Sequence, residues 1–184
     1  MAYTYLITET ELKQDTIIQD NVDGKLLGWA MRKAQNVYTR AVLGSALYNE
    51  IITQFAAETL TTANQTLLDS YIKPMQLAYI QKEATFSLWI KFTNSSIGTR
   101  SVDDLQTSGQ DQVNYAVNEF EREAEYYKDL LIKYICDNIA DYPLYNSSDQ
   151  EINPTEKGYT SRFTFLNNEK KHTPKIPKHP KKIH

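Results

Sequence analysis

The sequence predicts an all-α fold: an antiparallel helical bundle around one long C-terminal helix, with an inserted loop or hairpin and an extended C-terminal arm. Three observations predict it. First, Val113, Val117, Phe120, Ala124, Tyr127, Leu131 and Tyr134 recur in alternating steps of four and three, and Ile135 and Ile139 continue the line. At about 3.6 residues per turn these positions share one helix face, and at about 1.5 Å per residue the run extends roughly 40 Å. Second, stretches upstream repeat the same apolar spacing, and such stripes must cover one another. Third, beyond Pro143 the periodicity stops and the composition shifts.

Taken in order, Thr8-Glu9-Thr10-Glu11 fits a capping box for a short helix to about Asp15. Asp20 or Asn21 is placed to cap a second helix whose inner face is Leu27, Ala30, Met31, Ala34, Val37, Tyr38, Ala41 and Val42, with Gly24 and Gly28 weakening its start. Gly44 reads as a left-handed C-terminal stop. Ser45 can cap the next helix at once, with Leu47, Tyr48, Ile51, Ile52 and Phe55 as its stripe, so Leu43-Gly44-Ser45 is a tight corner. Thr62 and Gln65 form a second capping box, followed by Leu67, Leu68, Tyr71 and Ile72. Pro74 either kinks this helix or sits in the first turn of a new one. Met75, Ala78, Tyr79, Lys82, Phe86, Trp89 and Ile90 carry the apolar face to about Phe92, and Phe86 and Trp89 are expected to anchor the long helix.

Residues 93–112 have loop chemistry, with alternation at Ile97 and Thr99 that suits a short hairpin or arm. The long helix follows, and Tyr142-Pro143 ends it. The outer face of the long helix (Asn118, Glu119, Glu121, Arg122, Glu125, Lys128 and Asp129) is expected to be solvated and lightly paired. Residues 1–143, with the 93–112 insertion, form the bundle domain; 144–184 form the arm. Within the arm, Tyr159, Ser161, Phe163 and Phe165 alternate with Thr160, Arg162 and Thr164 as in a strand. A lone strand needs a partner, either a sheet edge on another chain or the loop near Ile97.

The net charge of −3 divides into +5 for residues 169–184 and −8 for the rest. The basic tail bears Lys170, Lys171, Lys175, Lys178, Lys181 and Lys182, all three histidines and half of the prolines. It could contact a polyanion or serve as a solubilising extension. Catalysis finds little support. With every His in the tail, the bundle has no base for a Ser/His/Asp or Cys/His triad and no Glu-x-x-His di-metal motif. The glycines are too scattered for a phosphate loop. Glu119, Glu121, Glu123 and Glu125 read as a solvated face. The single cysteine, Cys136, reads as a small buried hydrophobe and not a nucleophile. No cofactor, metal or catalytic residue is expected. Neither a secretion signal nor a membrane span is apparent, which suggests a cytosolic origin. Thirteen tyrosines suit the edge of a core or a subunit interface.

Several stretches together resemble tailed-phage head–tail connector (adaptor or ring) proteins, most nearly those of Bacteroidota phages and prophages, including crAss-like phages. Leu43-Gly44-Ser45-Ala46-Leu47-Tyr48 resembles their "LG-x-x-LY" corner, and Leu68 to Pro74 their "L-x-x-YI-x-P" helix start. Phe92-Thr93-Asn94-Ser95-Ser96-Ile97 is similar to the passage into their central loop, with Ser95-Ser96 where Gly is common. Tyr134, Asn138 and Tyr142-Pro143 follow the pattern of their last helix. The likeness spans about Tyr5 to Tyr145, and the basic tail exceeds the usual family length. It implies a virion structural protein and not an enzyme. Copies would form a dodecameric ring below the portal, extend the DNA channel and join capsid to tail, taking part in genome ejection. The implied partners are other copies, the portal protein, tail or further ring proteins, and double-stranded DNA passing without sequence-specific binding; no membrane is involved. Ile97, Thr99, Arg100, Tyr159, Arg162, Phe163 and Phe165 would contact neighbours or portal. The location implied is the virion head–tail junction, after synthesis in the host bacterial cytoplasm. The alternative is a nucleic-acid-binding module acting through the basic tail.

Overall fold

The computed structural model describes residues 3–92, 97–99 and 109–154. The chain builds α1 (Glu9–Asp15), α2 (Gly24–Lys33), α3 (Arg40–Ala56), α4 (Thr62–Leu67), α5 (Lys73–Trp89) and the long α6 (Gln110–Asp137), with a two-stranded hairpin, β1 (Ile90–Phe92) and β2 (Ile97–Thr99), between the last two. It is the expected helical bundle. Wider π-helical turns at Ala34–Thr39 and Leu68–Ile72 join α2 to α3 and α4 to α5. Pro74 therefore follows just after the second π-turn, and the backbone runs helical through Ile72 and Lys73 into α5.

α5 is the true centre. It packs against both α2 and α6, and Met75, Ala78, Tyr79, Ile80 and Ala84 are buried. The stripe of α6 contributes Ala124, Leu131 and Ile135, joined by Ile132. Fully burying each leucine or isoleucine side chain among these stabilises the fold by about 1.5–3 kcal/mol before entropy is counted. The N-terminal segment is part of this block. Leu6 and Ile7 are buried. Gln35, inside the first π-turn and only 1% exposed, accepts from the Leu6 amide at 3.0 Å and donates to the Thr4 carbonyl at 2.9 Å. A buried amide satisfied in this way costs little and fixes register.

Several local expectations are corrected. α2 is capped by Asp23, whose carboxylate accepts from the Lys25 amide, because Asp20 and Asn21 lie in the preceding turn. Thr61, not Thr62, caps α4 through the Asn64 amide. α5 stops at Trp89, where Ile90 turns extended. α6 starts at Gln110 and stops at Asp137, so Ile139 falls in a 3-10 turn and is exposed. Val37 and Phe86 are half exposed: the π-turn rotates Val37 outward, and Phe86 faces solvent while Tyr79 and Lys82 make the contact with α6. Cys136 is exposed, because its neighbour Ile135 takes the inward position. Thr8 and Glu11 do form the expected capping box.

Candidate functional site

Of the contact residues expected from sequence, Ile97 and Thr99 lie in β2, antiparallel to β1 with Ile97 opposite Phe92 and Thr99 opposite Ile90. Arg100, Tyr159, Arg162, Phe163, Phe165 and the tail lysines lie outside the described residues. The hairpin closes one end of the α5–α6 pair. At the other end the start of α5 meets the end of α6, where Tyr71 stacks on Tyr134.

That end is built around Gly44. Its φ of 74° and ψ of 162° are not the left-handed helical stop expected but a region essentially restricted to glycine. Two α-helical segments meet there at a kink. Ser45 does not cap the second segment with its own side chain. The arm does so instead: the Ser45 amide donates to the Ile152 carbonyl at 2.9 Å. The Ala46 amide donates to Gln150 Oε1 at 3.3 Å, and the Ile152 amide donates back to Ser45 Oγ at 3.1 Å. Arg40 pairs with Glu151 at 2.7 Å. These contacts answer two orphan amides at a helix start and tie residues 150–152 to the corner. A β-carbon on Gly44 would lie 2.4 Å from Gln150 Oε1 and 3.0 Å from the Pro154 ring, so glycine also admits the arm.

Beside the corner, Tyr71 of the second π-turn stacks on Tyr134 of α6, with centroids 4.1 Å apart. Tyr142 lies against Tyr134 and donates to the Ala63 carbonyl at 2.9 Å. The Pro143–Asn146 turn packs on α3 and buries Tyr145.

A second constellation spans the seams of α5 and went unread in the sequence. Tyr38 and Tyr79 stack with centroids 4.0 Å apart and planes 2° from parallel. Tyr38 donates to Glu83 at 2.5 Å, and Glu83, its side chain 7% exposed, also pairs with Lys33 at 2.7 Å. Tyr79 donates to Glu125 at 2.7 Å, and Lys82 pairs with Glu121 at 2.7 Å. Glu121 and Glu125 thus reach across to α5, correcting the expectation that they belong to the solvated face. Burial, then hydrogen bonds to the carboxylates, push both tyrosine hydroxyls above their ordinary range. Burial opposes the charge of Glu125, but Lys128 and Tyr79 outweigh it and hold the carboxyl low. With Tyr38 and Tyr79 held protonated and Glu125 held ionised, the array ties α5 to the first π-turn and to α6.

An apolar groove of about 260 Å³ lies between Ile17, Ile18 and Val22, the Gln81–Leu88 side of α5, and Phe120. Its described lining carries no titratable group. Among the described residues, no set of three or more His, Cys, Asp or Glu side chains is grouped to hold a metal ion, and no helix is long and apolar enough to cross a membrane.

No curated protein and no solved structure matches the chain. Residues 39–155 match DUF6712, described as a family of unknown function. The matched segment starts one residue before α3 and ends one residue past Pro154, so it contains both the Gly44 corner and the arm that closes it. It covers more than half of the chain, which therefore belongs to the DUF6712 family.

Proposed function

We propose that this protein is a virion structural protein, a head–tail connector adaptor that forms a ring below the portal, extends the DNA channel and joins capsid to tail. One observation carries the reading. Three of the four stretches that resemble connector proteins, far apart in sequence, adjoin one another: Tyr71 stacks on Tyr134, Tyr142 lies against Tyr134, and the Pro143–Asn146 turn packs on α3, the helix that carries the Gly44 corner. Motifs matched by chance have no reason to touch.

The physics is compatible with the role. A block with a fully packed central helix is a stiff wedge, as a junction under load requires. The 93–112 insertion and residues 144–184 both suit contacts with neighbouring copies, the portal, or tail and further ring proteins. The formal charge of −8 before the tail suits a channel along which double-stranded DNA slides without sequence-specific binding. Mass spectrometry of purified virions and electron microscopy of the portal vertex test the proposal: the chain should be present in mature particles and confined to the head–tail junction. Its absence from particles would overturn the reading. The nucleic-acid-binding alternative predicts salt-dependent DNA affinity that is lost when residues 169–184 are deleted.

A further inference from the structure

The ring reading leaves open which surfaces meet. We infer that the outer face of α2 in one copy seats against the outer face of α6 in the next. α5 lies between these two helices and is covered along its length, Phe86 alone being exposed. Lys33 reaches α5 from the α2 flank through Glu83, while Glu121 reaches it from the α6 flank through Lys82. Lys82 and Glu83 are consecutive along α5, so α2 and α6 meet it on different sides and each keeps an outer face of its own.

The two faces are complementary. α2 carries Lys25, Arg32 and Lys33 and no acidic residue. At its centre is Trp29, 49% exposed, with Lys33 stacked 5.0 Å from the ring centroid. Arg32 is steadied above the Tyr3 ring at 5.1 Å. On the outer side of α6, Glu119, Glu123, Asp129 and Asp137 outnumber the cations Arg122 and Lys133, which pair with Glu119 and Asp137. Tyr115 and Tyr126, 69% and 61% exposed, lie eleven residues apart and so on nearly one line, about 16 Å along the helix. Exposed aromatic anchors framed by opposite charges are the composition of a protein–protein contact. Because the two faces differ and belong to different helices, the contact is heterologous: each copy offers one face to each neighbour, the arrangement that closes into a ring or runs into a filament. A self-matching contact of α6 with α6 would set acid against acid.

This inference rests on the ring reading but can fail separately. Sedimentation velocity at low salt, up to ~1 mM chain, is the assay. The native chain should self-associate, and added salt should weaken the association. Lys25→Glu and Glu123→Lys, both on exposed side chains and expected to leave the melting curve unchanged, should each weaken association at least tenfold. An equimolar mixture of the two variants should recover it, because every unlike contact then pairs opposite charges. Trp29→Ala should lose tenfold or more. A native chain that stays monomeric throughout, reversals without effect, or a mixture that does not recover would each overturn the interface. Virions holding the chain at the vertex, with rings indifferent to both reversals, would remove this interface and leave the connector role standing.

Discussion

Replacing Gly44 with Ala tests whether the corner and arm are one device. The native φ of 74° and ψ of 162° cost a non-glycine residue about 1–3 kcal/mol. The new methyl would also lie 2.4 Å from Gln150 Oε1 and 3.0 Å from Pro154, too close for either to remain in place. Displacing the arm loses the three hydrogen bonds at Ser45, Ala46 and Ile152. At about 0.5–1.5 kcal/mol each, and nearer the lower bound because water can replace them, they add about 2 kcal/mol. The expected destabilisation is about 3–5 kcal/mol by urea unfolding, with faster hydrogen exchange at the Ser45 and Ile152 amides. Gln150→Ala alone should cost about 1 kcal/mol. Combined with Gly44→Ala it should restore little, since the backbone strain and the Pro154 contact persist. Were Gly44→Ala within about 0.5 kcal/mol of the native chain, with both amides equally protected, the corner would not be what holds the arm.

Three further outcomes follow from the seams of α5. Glu83→Ala strands Lys33 and the Tyr38 hydroxyl; because Lys33 keeps some access to water, the loss should be about 2–3 kcal/mol by denaturant unfolding, and Glu83→Gln should lose roughly half as much. Tyr142→Phe deletes the hydroxyl that donates to the Ala63 carbonyl and also meets Tyr134, and should cost about 1 kcal/mol with no change in secondary structure by circular dichroism. The third concerns pH. Burial opposes the charges of Glu11 and Asp69, but hydrogen bonds from the Thr8 amide and Lys73 to Glu11, and from Gln65 and Lys73 to Asp69, hold both carboxyls low. Burial likewise opposes the charge of Lys73, and the same two carboxylates raise it. The carboxylates' contribution is complete above their unfolded values near 4 and is lost as pH falls through the lower folded values. That of Lys73 is complete below about 10.4 and is lost as pH rises through its folded value. Lys73→Met should therefore flatten the fall in melting temperature between about pH 5 and 2; an unchanged slope would show that these pairs contribute nothing.

The helices were legible because burial imposes a period that survives in the sequence: α6 announces itself through Ala124, Leu131 and Ile135, and α1 through its capping box. What periodicity cannot show is rotation. The π-turn at Ala34–Thr39 adds a residue to one turn, and Val37, inward by simple counting, swings out while Gln35 turns into the core. Nor can it show partners. Glu121 and Glu125 are indistinguishable from solvated carboxylates until α5 brings Lys82 and Tyr79 to them. Gly44 was found as a corner, but its conformation depends on Gln150 and Ile152, more than a hundred residues away. The capping role of that distant segment has no local signature, because a backbone carbonyl can supply it from any sequence.

The tyrosines show how the two kinds of surface separate. Tyr38 with Tyr79, and Tyr71 with Tyr134 and Tyr142, lie in seams between helices, their rings stacked or tilted against one another and three of their hydroxyls on protein acceptors. These occupy the edge of the core, where an apolar ring with a polar tip loses least. Tyr115 and Tyr126 have the same chemistry but lie on the outer side of α6 and leave most of their surface in water. A residue type used at seams throughout the bundle, when it appears twice along one line of a helix with no seam, marks where a seam with another molecule would form. Trp29 holds the matching position on α2, framed by cations. An assembly that buries all three extends between copies the packing rule that already joins the helices within one.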